Sequence, residues 1–226
     1  MNYILRVFLL IFILINFNKT LHGLESHWGL SEVSKVRLIS PLSHNDNHAD
    51  IILGLEYQME PGWKTYWQSP GDGGFSQELS WSKSTNVSDI QIDWPAPHSF
   101  EILGIKSIGY KENVIFPLRI SLHDPNKITQ INLSTNYLTC KDICIPGNAK
   151  LNLSIPAGKA NPTKYFFEIE KILSSLPQKD INLTNLSNFD ASLLADDSII
   201  SFNIIATTNS FFDNPNIYLH TAFGLP

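Results

Sequence analysis

Ile131-Asn-Leu-Ser-Thr-Asn-Tyr-Leu-Thr-Cys140-Lys-Asp-Ile-Cys144-Ile-Pro-Gly-Asn-Ala-Lys-Leu151-Asn-Leu-Ser-Ile155 is the stretch on which the reading of the fold turns. Ile131, Leu133, Thr135, Tyr137 and Thr139 share one face of an extended strand that runs into Cys140, and Leu151, Leu153 and Ile155 alternate again after Cys144. These two residues are the only cysteines in the chain. The alternation on either side places them at the loop joining two strands, or just inside the strand ends. A disulfide needs Cα atoms closer than about 7 Å, whereas four residues of extended strand span roughly 13 Å. If the two sulfurs bond, Lys141, Asp142 and Ile143 must therefore turn. A disulfide stabilises mainly by closing loops of the unfolded chain, and more so for long loops. A pair this close constrains little, so in an exported protein it reads as redox chemistry more readily than as a staple. The alternative is a small structural loop.

The same period-two pattern recurs upstream. Val36-Arg-Leu-Ile and Asp50-Ile-Ile-Leu-Gly-Leu-Glu-Tyr read as strands, Ile90-Gln-Ile-Asp-Trp alternates before Pro-Ala-Pro, and Val114 to Leu122 resumes the alternation. Short strands separated by Gly- and Pro-bearing turns predict an all-β sandwich. The texture changes at Asn161-Pro162. Asn suits a helix cap and Pro its first turn, and Tyr165, Phe166, Ile169, Ile172, Leu173 and Leu176 recur at helical spacing up to Pro177. Beyond this amphipathic helix, Ile200, Phe202, Ile204 and Ala206 alternate, and Asn216 to His220 reads as another strand. Asp180 to Pro226 is 47 residues, about half of a ~100-residue sandwich, and is expected to be the start of a second β domain cut short. The expected organisation is an N-terminal targeting segment over 1–23, a β domain over 24–157, a linker with the helix over 158–179, and a partial β domain over 180–226.

The N-terminal expectation rests on Arg6 followed by the apolar run Val7 to Ile15 and then Asn16. A basic start and an apolar core of roughly 7–15 residues make a signal-peptide pattern, shorter than the ~20 residues that span a bilayer. Cleavage near Leu21-His22-Gly23 is expected, with an uncleaved anchor as the alternative. Export implies a compartment in which disulfides persist. With 226 residues, 43% of them apolar, the chain has ample material for a packed core. Its net charge of −5 and the lack of any basic run argue against nucleic-acid binding.

A set of short motifs gives the chain a family likeness. Pro61-Gly-Trp-Lys-Thr-Tyr-Trp-Gln-Ser-Pro-Gly-Asp-Gly-Gly, Asn86-Val, Trp94-Pro-Ala-Pro, Gly109-Tyr and Cys140-Lys-Asp-Ile-Cys-Ile-Pro, in that order, resemble the N-terminal periplasmic domain of DsbD-like thiol:disulfide interchange proteins, closest to their ScsB-like branch. The resemblance covers about Trp28 to Pro156. It implies an immunoglobulin-like β-sandwich whose redox pair is Cys140 and Cys144. It also implies that electrons arrive from a membrane domain through a thioredoxin-like domain and leave to exported partners such as disulfide isomerases. By the same resemblance Cys144 forms the mixed disulfide and Cys140 resolves it. Family members that are better known have more than three residues between the cysteines, so the resemblance leaves loop shape and partner choice open here, and the family's membrane and thioredoxin-like segments are not among these 226 residues.

The chemistry itself asks for little beyond two sulfurs. Lys141 favours a thiolate and Asp142 opposes it. Trp63, Tyr66 and Trp67 read first as sandwich core and second as walls of the site. Phe75 is a candidate aromatic cap of the kind the family uses, while Gly71, Gly73 and Gly74 read as turn residues. The seven histidines are scattered, with no ligand spacing around the cysteines, so no metal or other cofactor is expected. The rival reading from another class is a non-catalytic exported sandwich that binds a protein or glycan and carries a structural disulfide.

Overall fold

The computed structural model describes residues 23–102, 104–177, 186–195, 200–208 and Tyr218. Among these residues, two antiparallel sheets face each other. The first contains β1 (Leu24–Glu25), β3 (Ser34–Ser40), β4 (Asp50–Met59), β10 (Asn113–Leu122) and β7 (Val87–Ile92) in that order, with β2 (Gly29–Leu30) also paired to β3. The second runs β12 (Cys144–Ile155), β11 (Thr129–Cys140), β5 (Lys64–Gly71), β9 (Ile105–Lys111) and β8 (His98–Ile102), with β6 (Glu78–Ser80) paired to β11.

Side-chain alternation decides which face of each strand is sealed. Leu53, Leu55 and Tyr57 of β4 stand opposite Leu118, Phe116 and Val114 of β10, and Ile131 and Leu133 of β11 stand opposite Leu153 and Leu151 of β12. These inward residues, with Val36, Leu38, Ile90, Trp67 and Tyr110, form one cluster between the sheets, buried except for Val114, which is partly buried against it. Burying each such aliphatic or aromatic side chain contributes on the order of 1.5–3 kcal/mol. Tyr57 meets Phe116 and Tyr137 edge-on, with ring centroids 5.4 and 5.0 Å apart. This packing of alternating inner faces is the β-sandwich that the residues predict, immunoglobulin-like as the family resemblance implies.

The outer face of the first sheet is covered by α1 (Phe166–Ser174), where Tyr165 and Ile169 pack on Ile39 and Ile115. The helix begins later than Asn161-Pro162 suggested. Pro162 instead bridges Leu42, Thr163 N donates to Pro41 O, and Thr163 Oγ1 donates to Ser40 O, so this stretch is held along the sheet edge before the helix can start. β13 (Leu186–Ala195) and β14 (Ile200–Thr208) pair with each other as a separate two-stranded sheet. β14 is the expected strand around Ile200 to Ala206, whereas β13 was not foreseen. The strand expected over 216–220 lies outside the described residues except for Tyr218, whose ring packs 6.0 Å from that of Trp67. Residues 1–22, with the expected targeting segment, also lie outside them. Among the described residues no helix is long and apolar enough to cross a membrane.

Candidate functional site

Cys140 and Cys144 are the last register pair of the β11–β12 hairpin, and their sulfurs are bonded at 2.03 Å with the Cα atoms 4.1 Å apart. Lys141, Asp142 and Ile143 form the connecting loop, closed by Lys141 N donating to Ile143 O at 3.0 Å. The turn required by the spacing is therefore present. β12 begins at Cys144 itself, earlier than the alternation from Leu151 indicated, and Pro146 lies within it. Among the described strands β12 is an edge strand, where a residue without an amide donor is tolerated.

Strand parity puts the disulfide outside the main core. Tyr137 and Thr139 point between the sheets, so Leu138 and Cys140 point to the opposite face. On β5 the same rule sends Trp67 inward and Tyr66 outward. Cys140 is the Cα partner of Lys64 on β5, which brings Tyr66, two residues on, beside it. A second, smaller apolar cluster results, made of Tyr66, Ile102 and Cys140 with Phe100 and Leu138 against them. Cys140 is 0% exposed within it, while Cys144 is exposed and its neighbour Ile143 is 62% exposed. The two sulfurs of one bond thus see different surroundings.

Tyr66 is the polar group of this cluster. Its hydroxyl donates to Cys140 Sγ at 2.9 Å and lies 3.9 Å from Cys144 Sγ. Burial holds its phenol above the ordinary range, against the opposing effect of a hydrogen bond with Ser107. The Ser107 hydroxyl gives its one proton to Gly73 O at 2.7 Å, tying the loop after β5 to the same spot. A Cβ at Gly74 would overlap the Tyr66 ring, so that glycine is a close-approach residue and not only a turn former. The backbone of β5 is fixed nearby by Thr65 Oγ1 donating to Leu138 O, with Gln77 Nε2 donating to Thr65 Oγ1. Lys64 Nζ donates to Gly62 O at 3.1 Å and sits 5.6 Å from the Phe100 ring, and Lys141 Nζ donates to Pro61 O at 3.4 Å. Both lysine ammoniums are therefore anchored on the Pro61-Gly62 turn near the pair.

Of the three aromatics weighed in the Pro61 to Trp67 stretch, the structure brings Tyr66 to the sulfurs, places Trp67 in the main core, and leaves Trp63 half-buried. Phe75 is an exposed side chain of the loop between β5 and β6, and the ring that packs on the Cys140 cluster is Phe100 of β8. The Phe100–Tyr66 centroid distance is 6.1 Å. Sequence reasoning passed over Phe100, Ile102 and Ser107. The available signal was the run Thr65-Tyr66-Trp67, all three buried: a strand with aromatics on both faces must be covered on both.

The comparisons with known proteins agree with this geometry. The family model for the thiol:disulfide interchange protein DsbD, N-terminal, matches residues 36–156, more than half of the chain. Among solved structures, the N-terminal periplasmic domain of ScsB from Proteus mirabilis is similar with a TM-score of 0.57 and 22% sequence identity, covering 83% of this chain and 86% of that one. That likeness supports the fold. No curated protein matches the chain. The chain belongs to the DsbD N-terminal domain family.

Proposed function

We propose that this member of the DsbD N-terminal family is an exported thiol-disulfide exchange domain, acting in the periplasm, that passes electrons to partner proteins through a reversible Cys140–Cys144 disulfide. The observation that carries the reading is the asymmetry of the pair, a fully buried Cys140 bonded to an exposed Cys144. A structural bridge has no need of one accessible sulfur, whereas exchange requires a partner thiolate to reach one sulfur in line with the bond that breaks.

In the reducing half-cycle a donor thiolate attacks Cys144 Sγ, a donor–Cys144 disulfide forms, and the electron pair of the old bond leaves on Cys140 Sγ. A second donor thiol then displaces Cys144, so the donor becomes a disulfide and this chain a dithiol. In the delivering half-cycle the Cys144 thiolate attacks a partner disulfide and Cys140 resolves the mixed disulfide, which returns both electrons to the partner. Thioredoxin-like periplasmic proteins and disulfide isomerases are the partners proposed, with a membrane electron-transfer domain as the source.

The test is a redox titration of the purified chain in glutathione or dithiothreitol buffers, with the thiols counted by alkylation. Two thiols titrating together at a potential above about −300 mV support exchange, whereas a lower potential is typical of structural bridges. That second outcome would favour the non-catalytic sandwich with a structural disulfide.

A further inference from the structure

From the contact between the Tyr66 hydroxyl and Cys140 Sγ, we infer that Tyr66 is a catalytic residue of the exchange reaction: it donates a hydrogen bond to the thiolate that forms on Cys140, and thereby directs partner attack to Cys144. The inference rests on the redox reading of the pair and adds a residue to it.

Breaking the disulfide places charge where the protein can least accommodate it. When a thiolate attacks Cys144 Sγ, negative charge develops on Cys140 Sγ, a sulfur with no solvent exposure among Ile102, Leu138 and Phe100. Burying an uncompensated anion is strongly unfavourable, and a thiol with a high pKa leaves slowly. The Tyr66 hydroxyl, 2.9 Å away, is the donor aimed at that sulfur, and it is an ångström farther, at 3.9 Å, from Cys144 Sγ. Its burial keeps the phenol protonated, so the donor persists across the ordinary pH range. A charge-assisted hydrogen bond placed where charge develops lowers the barrier without reorganisation at the moment of reaction. The same bond acts little on Cys144, so the leaving group is the sulfur beside Tyr66 and the attacked sulfur is the other one.

The ring is fixed for this task. Gly74 lies against its face without a Cβ, Phe100 packs beside it, and Ser107 is within hydrogen-bond reach of its hydroxyl. The titratable and charged groups on the elements packed around the pair include Lys64 on β5, Lys141 and Asp142 in the hairpin loop, and His98, Glu101, Lys106 and Lys111 on the β8–β9 hairpin, where Lys111 is the register partner of Lys64. All of these remain when only the phenol oxygen is removed.

The experiment compares the full chain with Tyr66→Phe. The first readout is the rate at which dithiothreitol reduces the oxidised chain near neutral pH, followed by quenched alkylation. The second is the thiolate absorbance of Cys140 against pH in the Cys144→Ala background, with and without Tyr66→Phe. The expected result is a rate lower by about tenfold or more, the measure of one hydrogen bond to a charged group, and a Cys140 pKa higher in the Phe variant. Unchanged values, or a change in only one of the two readouts, would overturn the inference, since a thiolate donor has to act on both. If Tyr66→Phe does not fold, p-aminophenylalanine placed at position 66, a weaker donor of nearly the same shape that stays neutral through the titration, should raise the Cys140 pKa, and an unmoved titration would be equally decisive against it. Should the unaltered chain show no reversible dithiol at all, it is the redox reading that fails.

Discussion

Gly147 stands directly opposite Tyr137 in the β11–β12 ladder, and the Tyr137 ring fills the space a side chain at 147 would need. The ring is held there by its hydroxyl, 3.0 Å from Ser34 Oγ on the facing sheet, and by its edge-on contact with Tyr57. Gly147→Ala should therefore displace a buried ring and destabilise the chain by about 1–3 kcal/mol, the usual range for overpacking. Urea unfolding monitored by fluorescence measures it. An alanine variant as stable as the parent would show that the hairpin can move aside without loss.

The exposure difference between the two sulfurs predicts which single variant traps a partner. Cys140→Ala leaves the accessible Cys144 without its resolving thiol, and should accumulate mixed disulfides with a thioredoxin-like protein on non-reducing gels. Cys144→Ala leaves only the buried Cys140, and should accumulate few. Equal trapping by both variants would remove the basis for assigning separate roles to the sulfurs.

Replacing both cysteines by Ser should leave the sandwich folded. The loop closed by the bridge is short, and the chain-entropy relation gives such a ring only about 2 kcal/mol. The hairpin it closes is already held by a ladder that continues to Thr129 and Ile155. A loss beyond about 4 kcal/mol on chemical denaturation, near the top of the range for native bridges, would point to a staple.

Three core tyrosines predict the behaviour in alkali. Burial raises the phenol pKa of Tyr57, Tyr110 and Tyr137 above the ordinary value. The Tyr57 hydroxyl pairs with Thr135 Oγ1 at 3.1 Å, and that of Tyr110 donates to Pro95 O at 2.8 Å. Because the folded state keeps these protons after the unfolded chain has lost them, their contribution is complete below about pH 10 and falls as pH rises past it. The unfolding midpoint should drop above that pH, and less steeply in Tyr57→Phe. Parallel slopes in the two proteins would mean that another group governs the alkaline limit.

Much of the sandwich was legible because its long strands bury one face. Ile131 to Thr139 alternates plainly enough to be read residue by residue, and Val36 to Ile39 and Asp50 to Tyr57 read as strands although Ile39 and Ile52 on their outer faces are covered by α1. Val114 to Leu122 remained readable despite Pro117, which sits just beyond the last β7 pair, Ile92 with Leu118. β5 was missed because both of its faces are covered, so Thr65-Tyr66-Trp67 shows no period. β8 and β9 were missed for the opposite reason: much of that hairpin is exposed, and Gly104 and Gly109 interrupt its pattern. The spacing of the two cysteines showed that a bond between them would need a turn, while their role was left open between redox and structural readings until the family resemblance was added. Tyr66 could not be assigned to the pair, because the contact joins residues 74 positions apart and depends on β5 lying next to β11.

The position of the sulfurs on the outward side of β11 also governs where the chain can change length. Residues inserted between Cys140 and Cys144 only enlarge the loop beyond the last rung, leaving every inward side chain of both strands in place. One residue inserted between Tyr137 and Cys140 would instead turn the cysteine toward the main core and away from Tyr66, since each step along a strand reverses the direction of its side chain. Evolution and protein engineers alike are thus free to vary the spacer, provided that the count of residues leading into Cys140 stays fixed.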